Sequence, residues 1–185
     1  LEEDLGLSGD ITSQACLPGE ARARVLMATR KAGVVSGIQL AVEAFRQMDP
    51  DVTITLVKQD GDTIKPRDVI LKVEGNARAV LSAERTALNF MGRMCGIATL
   101  TAQYVAAVAH TRARILDTRK TTPGLRAFEK YAVLCGGGVN HRFGLFDAIL
   151  IKDNHVGVAG GVRPALQRAK RFAGSTVKIE IEVDS

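Results

Sequence analysis

The residues able to do chemistry in this chain are mostly cations, and they are unevenly placed. Between Thr111 and His155 stand Arg112, Arg114, Arg119, Lys120, Arg126, Lys130, Arg142 and Lys152 against Asp117, Glu129, Asp147 and Asp153, so this segment supplies four of the five net positive charges. Arg119 and Lys120 precede Thr121-Thr122-Pro123-Gly124, His141 and Arg142 follow Asn140, and Lys152 opens Lys152-Asp153-Asn154-His155. Glu180 and Glu182 alternate near the end of the chain. Arginine presents a planar fork that matches carboxylate or phosphate oxygens, whereas lysine offers a movable point charge. Cations gathered with few acids to neutralise them call for an anionic ligand, because burying unpaired charge costs several kcal/mol per ion. A ligand with both carboxylate and phosphate groups would use both kinds.

The elements around these residues alternate. Arg114 to Thr118 is a short apolar run, Gly124 to Cys135 reads as a helix ended by Gly136-Gly137-Gly138, and Ala148 to Ile151 reads as a buried strand. Val162 to Phe172 reads as a second helix and Val177 to Val183 as a third strand. That β-α-β-α-β order predicts parallel strands with crossover helices, whose chemistry gathers at the C-terminal strand ends. The charged groups above would converge on that rim.

Upstream, Arg22 to Ser36 and Val52 to Val57 alternate as strands, with a helix between them capped by Ser36 and stopped by Pro50. Asp60-Gly61-Asp62 signals a turn, and Val69-Ile70-Leu71 with Val73 a further strand. A long helix from Ser82 carries Leu88, Met91, Met94, Ile97, Leu100, Tyr104 and Val108 as a core stripe, with a break predicted near Gly92 or Gly96. Arg85 then falls in its first turn, against the helix dipole.

Composition narrows the classes. With 46% hydrophobic and 24% charged residues the chain reads as a soluble globular protein, and its least charged stretch, Met94 to Thr111, is too polar for a membrane span. The acidic start, Leu1-Glu2-Glu3-Asp4, is unlike a secretory signal, and three irregularly spaced cysteines suit a reducing, cytoplasmic setting better than a disulfide framework. Nucleic-acid binding would expect basic residues interleaved with aromatics, which are 4% here. Gly136-Gly137-Gly138 could cradle a phosphate, but a helix C-cap is the favoured reading. Cys135, His141 and His155 lack zinc-site spacing, His155 reads as structural, and Cys95 and Cys135 read as core rather than nucleophiles.

The stretch DTRKTTPGLRAFEKYAVLCGGGVNHRFGLFDAILIKDNH, with ERTALNF and GIATLT upstream, EDLGLSGDIT at the start and IEIEVDS at the end, resembles the quinolinate phosphoribosyltransferase family along essentially the whole chain. A related pyrophosphorylase family linked to molybdenum transport shares the layout but lacks the pair that here reads Lys152-Asp153. The resemblance implies an α/β protein: an N-terminal sandwich-like α/β domain, residues 1–110, followed by an open parallel TIM-like α/β barrel begun by residues 111–185. It implies transfer of phosphoribosyl from phosphoribosyl pyrophosphate to quinolinate with decarboxylation, giving nicotinate mononucleotide in NAD biosynthesis. Mg²⁺ would be bound mainly through phosphoribosyl pyrophosphate, and the protein would be a homodimer or larger homo-oligomer with shared active sites. Arg119, His141 and Arg142 fall on positions that hold quinolinate's carboxylates, Thr118 on a substrate-binding position, and Lys120 and Lys152 on positions reaching toward the phosphoribosyl group. Arg85 falls on the arginine delivered from the neighbouring subunit. Glu182 falls on the acid that faces the ribose and metal, with no residue assigned as a metal ligand. Lys120, Lys152 and Glu182 are the implied catalytic residues.

Length departs from that pattern. A complete eight-stranded barrel needs roughly 250 residues, so a chain of 185 is expected to belong to a longer protein and to hold only the first part of the barrel. Taken alone, it could be a catalytically incomplete anion-binding fragment.

Overall fold

The computed structural model describes residues 1–183; Asp184 and Ser185, the end of the IEIEVDS motif, lie outside the described residues. The alternating stretches form the strands expected of them. Strands β1 (Arg22–Ala28), β5 (Val69–Asn76) and β3 (Thr53–Leu56) make an antiparallel sheet in the order β1-β5-β3, and β2 (Gly33–Val34) pairs with β4 (Thr63–Ile64). Val25 lies opposite Val73 and Met27 opposite Leu71, while Ile54 meets Val73 from the other side. Their apolar side chains join those of helix α3 (Ile38–Met48) and the first half of helix α4 (Ala77–Val108) in one core, with Leu71 and Val35 wholly buried. Two short helices, α1 (Glu2–Leu5) and α2 (Ile11–Cys16), which the sequence pattern did not predict, precede the sheet.

Three expectations change here. Ser36 does not cap α3: it is buried, and its N–H donates to Cys95 Sγ. Gly37, at φ 95°, takes the cap position, and Asp60 Oδ1 accepts from Ile38 N at 3.1 Å. The Asp60-Gly61-Asp62 turn thus supplies from a distance the oxygen a local serine would have given. Helix α4 is unbroken through Gly92 and Gly96 and begins at Ala77, where Asn76 Oδ1 accepts from Arg78 N and Ala79 N. Arg85 therefore lies beyond the first turn, and the argument that it opposes the helix dipole does not hold. The face of α4 that is buried is lined by Ala83, Ala87, Met91, Met94 and Ala98, whereas Leu100 and Tyr104 are 53% and 57% exposed. Small alanines, not the bulkiest apolar residues, mark the side on which α3 packs.

Arg114 to Thr118 does not form a full strand; a single parallel bridge joins Leu116 to Val139. Beside it, helix α5 (Arg126–Cys135) is fixed by a buried ion pair, Lys130 with Asp117, whose side chains are 2% and 7% exposed. Glu129 holds the preceding loop, accepting from Arg93 Nε at 3.0 Å and from Thr122 N at 3.1 Å. Burial raises the Glu129 pKa, but these hydrogen bonds outweigh it and leave the carboxyl below its usual range. After α5, the N–H groups of Gly136, Gly137 and Gly138 donate to Ala132, Leu134 and Val133 carbonyls. The glycine run is a helix cap, and its N–H groups are already committed. Gly137 takes φ 84°, and a Cβ on Gly136 would stand 2.4 Å from the Ala98 carbonyl oxygen.

The described residues divide into two compact units, Leu1–Asp117 with Thr121–Val139, and Thr118–Lys120 with the described residues from Asn140 onward. This differs from a division at residue 110, because α5 is tied by Lys130, Glu129 and the Gly136 contact to the unit containing α4. In the second unit β6 (Ile149–Ile151) and β7 (Ile179–Ile181) pair in parallel, with Leu150 opposite Glu180. Helices α6 (Asp153–Ala159) and α7 (Val162–Phe172) cross between them. The architecture is mixed α/β. Among the described residues no helix is long and apolar enough to cross a membrane.

Two stability effects follow. Lys130→Met removes one partner of the buried pair and should cost about 3–5 kcal/mol, whereas Lys130→Met with Asp117→Leu should recover most of it. Urea unfolding would show a small loss in the single variant if the pair holds nothing. Gly136→Ala should cost about 1–3 kcal/mol through its clash with the Ala98 carbonyl, and an unchanged urea midpoint would contradict that close approach.

Candidate active site

The parallel pairing of β6 and β7 sets the geometry of the second unit. Side chains two residues apart share a face of a strand, so Lys178, Glu180 and Glu182 form one row, opposite in direction to Val177, Ile179, Ile181 and Val183. Glu182 N donates to the Ile151 carbonyl, extending the register by one residue and bringing Glu182 level with Lys152. Lys152 Nζ then lies 3.0 Å from both Glu182 oxygens. One row over, His141 Nε2 lies 2.6 Å from Glu180 Oε2, and Lys178 pairs with the other oxygen of Glu180. The hydrogen bond from Lys178, followed by that from His141, holds the Glu180 carboxyl below the usual carboxylate range.

The loop before β6 is built to present His141 and Arg142. Asp147 accepts from Phe143 N at 2.7 Å and Gly144 N at 2.9 Å, closing the turn, while Arg142 Nη1 donates to the Ala148 carbonyl at 3.2 Å. Both side chains are half-buried. Lys152 stands at the cap of α6, where its backbone N–H donates to His155 Nδ1 at 3.0 Å. His155 thereby has the structural role read for it. Thr118, Arg119 and Lys120 belong to the same unit, and Thr118 Oγ1 accepts from Lys120 N at 3.0 Å, turning the backbone between the two cations.

The second unit thus contains Thr118, Arg119, Lys120, His141, Arg142, Lys152 and Glu182, while Arg85 is an exposed residue of α4 in the first unit. The rim is less one-sided than the sequence suggested. His141 and Lys152 are each matched by a glutamate, since the strand that carries Glu180 and Glu182 pairs with the strand ending at Lys152. Glu180 and Lys178 are the site neighbours that the sequence reading left without a role. The Lys-x-Glu-x-Glu alternation was the available signal, because it places all three on one face.

Such an arrangement suits ligand exchange. Lys152 and Glu182 remain 45% and 55% exposed, and an ion pair so open to water contributes only about 0–1 kcal/mol. An incoming anion can take Lys152 from Glu182 at little cost, leaving the carboxylate for a cationic or hydroxyl-bearing part of the same ligand. Among the described residues no group of three or more His, Cys, Asp or Glu could hold a metal ion. The three cysteines are unbridged; Cys16 is exposed, and burial pushes the half-buried Cys95 thiol up, away from nucleophilic character.

Comparison with known proteins identifies the family. Residues 10–95 match the family model for the quinolinate phosphoribosyl transferase N-terminal domain and residues 97–185 that for its C-terminal domain. The chain is 44% identical over 183 residues to a probable nicotinate-nucleotide pyrophosphorylase [carboxylating] of Bacillus subtilis, covering 99% of this chain and 63% of that protein. It is 45% identical to the chloroplastic nicotinate-nucleotide pyrophosphorylase [carboxylating] of Oryza sativa, covering all of this chain and 50% of that one. The crystal structure of NadC from Streptococcus pyogenes superposes with a TM-score of 0.95 at 41% identity, covering 100% of this chain and 65% of that chain. The chain therefore spans between half and two thirds of the length of these relatives. With the two domain models matched in succession and this similarity throughout, the chain belongs to the quinolinate phosphoribosyltransferase family.

Proposed function

We propose that the protein formed by this chain transfers phosphoribosyl from phosphoribosyl pyrophosphate to quinolinate and releases pyrophosphate and carbon dioxide, yielding nicotinate mononucleotide for NAD biosynthesis. The observation that carries this reading is the β6–β7 edge, where Lys152 has an exchangeable partner in Glu182 and His141 is held beside it by Glu180, in a chain of this family. In this reading β6 and β7 are part of an open TIM-like barrel, and the site lies at its C-terminal strand ends.

Arg119, His141 and Arg142, with Thr118, take quinolinate's two carboxylates, and Lys120 and Lys152 meet phosphate oxygens. The pyridine nitrogen forms a bond to ribose C1 as the bond from C1 to pyrophosphate breaks. Positive charge grows on C1 and the ring oxygen as pyrophosphate leaves, and Glu182, released by Lys152, is the carboxylate that stabilises it. The ribosylated nitrogen is then cationic and accepts the electron pair left when the neighbouring carboxylate departs as carbon dioxide, before a solvent proton replaces it. Mg²⁺ fits as an ion carried by pyrophosphate oxygens and water, where it would neutralise charge on the leaving group. Arg85 completes the site of a neighbouring copy in a homodimer, in a cytoplasmic setting.

Full-length protein should form nicotinate mononucleotide from quinolinate and phosphoribosyl pyrophosphate only with Mg²⁺. Lys152→Ala should lower kcat by about a hundredfold or more. Absence of product from the full-length wild type would overturn the reading, as would thermal stabilisation by an oligonucleotide but not by quinolinate. Mixing inactive Arg85→Ala and Lys152→Ala proteins under subunit exchange should restore about a quarter of wild-type activity, because half the dimers carry one intact composite site. No recovery despite verified exchange would place Arg85 in its own chain's site.

A further inference from the structure

We propose that His155 is a positioning residue for Lys152, and that what it contributes is an uncharged hydrogen-bond acceptor. This rests on the reading above in which Lys152 meets a substrate phosphate. Lysine is poorly suited to the cap of α6, where Lys152 stands. Its ammonium group has no lone pair to offer the open N–H groups of a first helical turn, and its charge opposes the positive end of the helix dipole. The Lys152 side chain makes no capping hydrogen bond, and Nζ donates instead to Glu182 at 3.0 Å. Such a local misfit marks a position kept for its charged head and not for the helix.

The missing anchor comes from three residues further on. His155 is the third residue of α6, and its Nδ1 accepts from Lys152 N at 3.0 Å. A backbone N–H only donates, so Nδ1 presents its lone pair and the ring proton sits on Nε2. The carbonyl of the same peptide unit, that of Ile151, accepts from Glu182 N at 2.9 Å. Both polar atoms of the peptide plane from which Lys152 springs are therefore fixed, one by β7 and the other by His155. Neither bond engages the lysine head, which is left to exchange Glu182 for a ligand oxygen. The usual residue at this third position is glutamate or glutamine, whose side chain reaches back to the same N–H. Glutamate would bring a further carboxylate to a lysine that already pairs with Glu182 and precedes Asp153, and would compete with a phosphate for it. Histidine gives the acceptor without the charge.

Steady-state kinetics of the full-length protein test this. His155→Ala should lower kcat about tenfold or more, since a misplacement of roughly 1 Å can cost about a hundredfold, while KM for quinolinate stays within about twofold. His155→Gln, an uncharged acceptor, should bring kcat back to within about threefold of wild type. His155→Glu should bring kcat back as well, but raise KM for phosphoribosyl pyrophosphate about two- to fivefold. Added to Lys152→Ala, His155→Ala should cost little more, because it acts through the lysine already removed. Should His155→Ala fail to fold, His155→Gln decides, and a folded but impaired His155→Gln overturns the proposal. Unchanged kcat in His155→Ala, or an undiminished loss on top of Lys152→Ala, overturns it too. An unchanged KM in His155→Glu overturns the need for an uncharged acceptor. No product from the wild type overturns the functional reading beneath it.

Discussion

The buried ion pair between Lys130 and Asp117 is the contact on which the placement of α5 depends. Lys130 is one of the most deeply buried side chains among the described residues, yet it is a cation. Asp117 meets it there, and breaking a buried pair by removing one partner is strongly destabilising. Asp117 lies directly before Thr118-Arg119-Lys120, and Lys130 lies in the middle of α5. One interaction therefore fixes both the helix and the point from which the first basic segment leaves. Glu129, the neighbour of Lys130, reaches Thr122 and so fixes the loop on the far side of that segment. Two consecutive helix residues thus fix Asp117 and the Thr122 loop within the first unit.

Charges at the β6–β7 edge obey the opposite rule. Lys152 with Glu182, and Lys178 with Glu180, remain substantially exposed on at least one partner. Water screens these pairs, so their net contribution to stability is small. A pair with little to lose is suited to a ligand that arrives with its own anions. The fold thus separates two uses of the same residue types, a buried pair that cannot exchange and surface pairs that can. Desolvation, not residue identity, decides which is which.

Much of the chain was legible. Periodicity located β1, β3, β5, β6, β7, α3, α7 and most of α5, because apolar spacing is the main signal of a half-buried element. The basic segments stood out because charge seldom clusters beside buried strands without reason. The start of α4 was missed because Ala77, Ala79 and Ala83 mark its buried side with small side chains, while Leu100 and Tyr104 drew attention to a face that is exposed. Helix α6 was not anticipated, because Asn154, His155 and Gly157 are poor helix formers. Lys130 looked like any helix-surface lysine, since nothing local reveals that Asp117 faces it. The pairing of His141 with Glu180 was hidden for the same reason: 39 residues separate them, and only strand pairing brings them together.

The location of Arg85 shows how a site residue can lose one argument and keep another. At the first turn of a helix, a cation would oppose the dipole and need compensation. Because α4 begins at Asn76, no such opposition exists, and an exposed arginine at this position costs the fold almost nothing. Neither helix stability nor core packing explains why arginine should stand there. Its long side chain can still reach beyond the helix surface with a fork that matches carboxylate oxygens. In the proposed homodimer that reach adds a cation to a substrate otherwise met by His141, Arg142 and Arg119. Dividing the cations between two copies keeps mutual repulsion low in each separate chain, and lets the dianion itself draw the full set together.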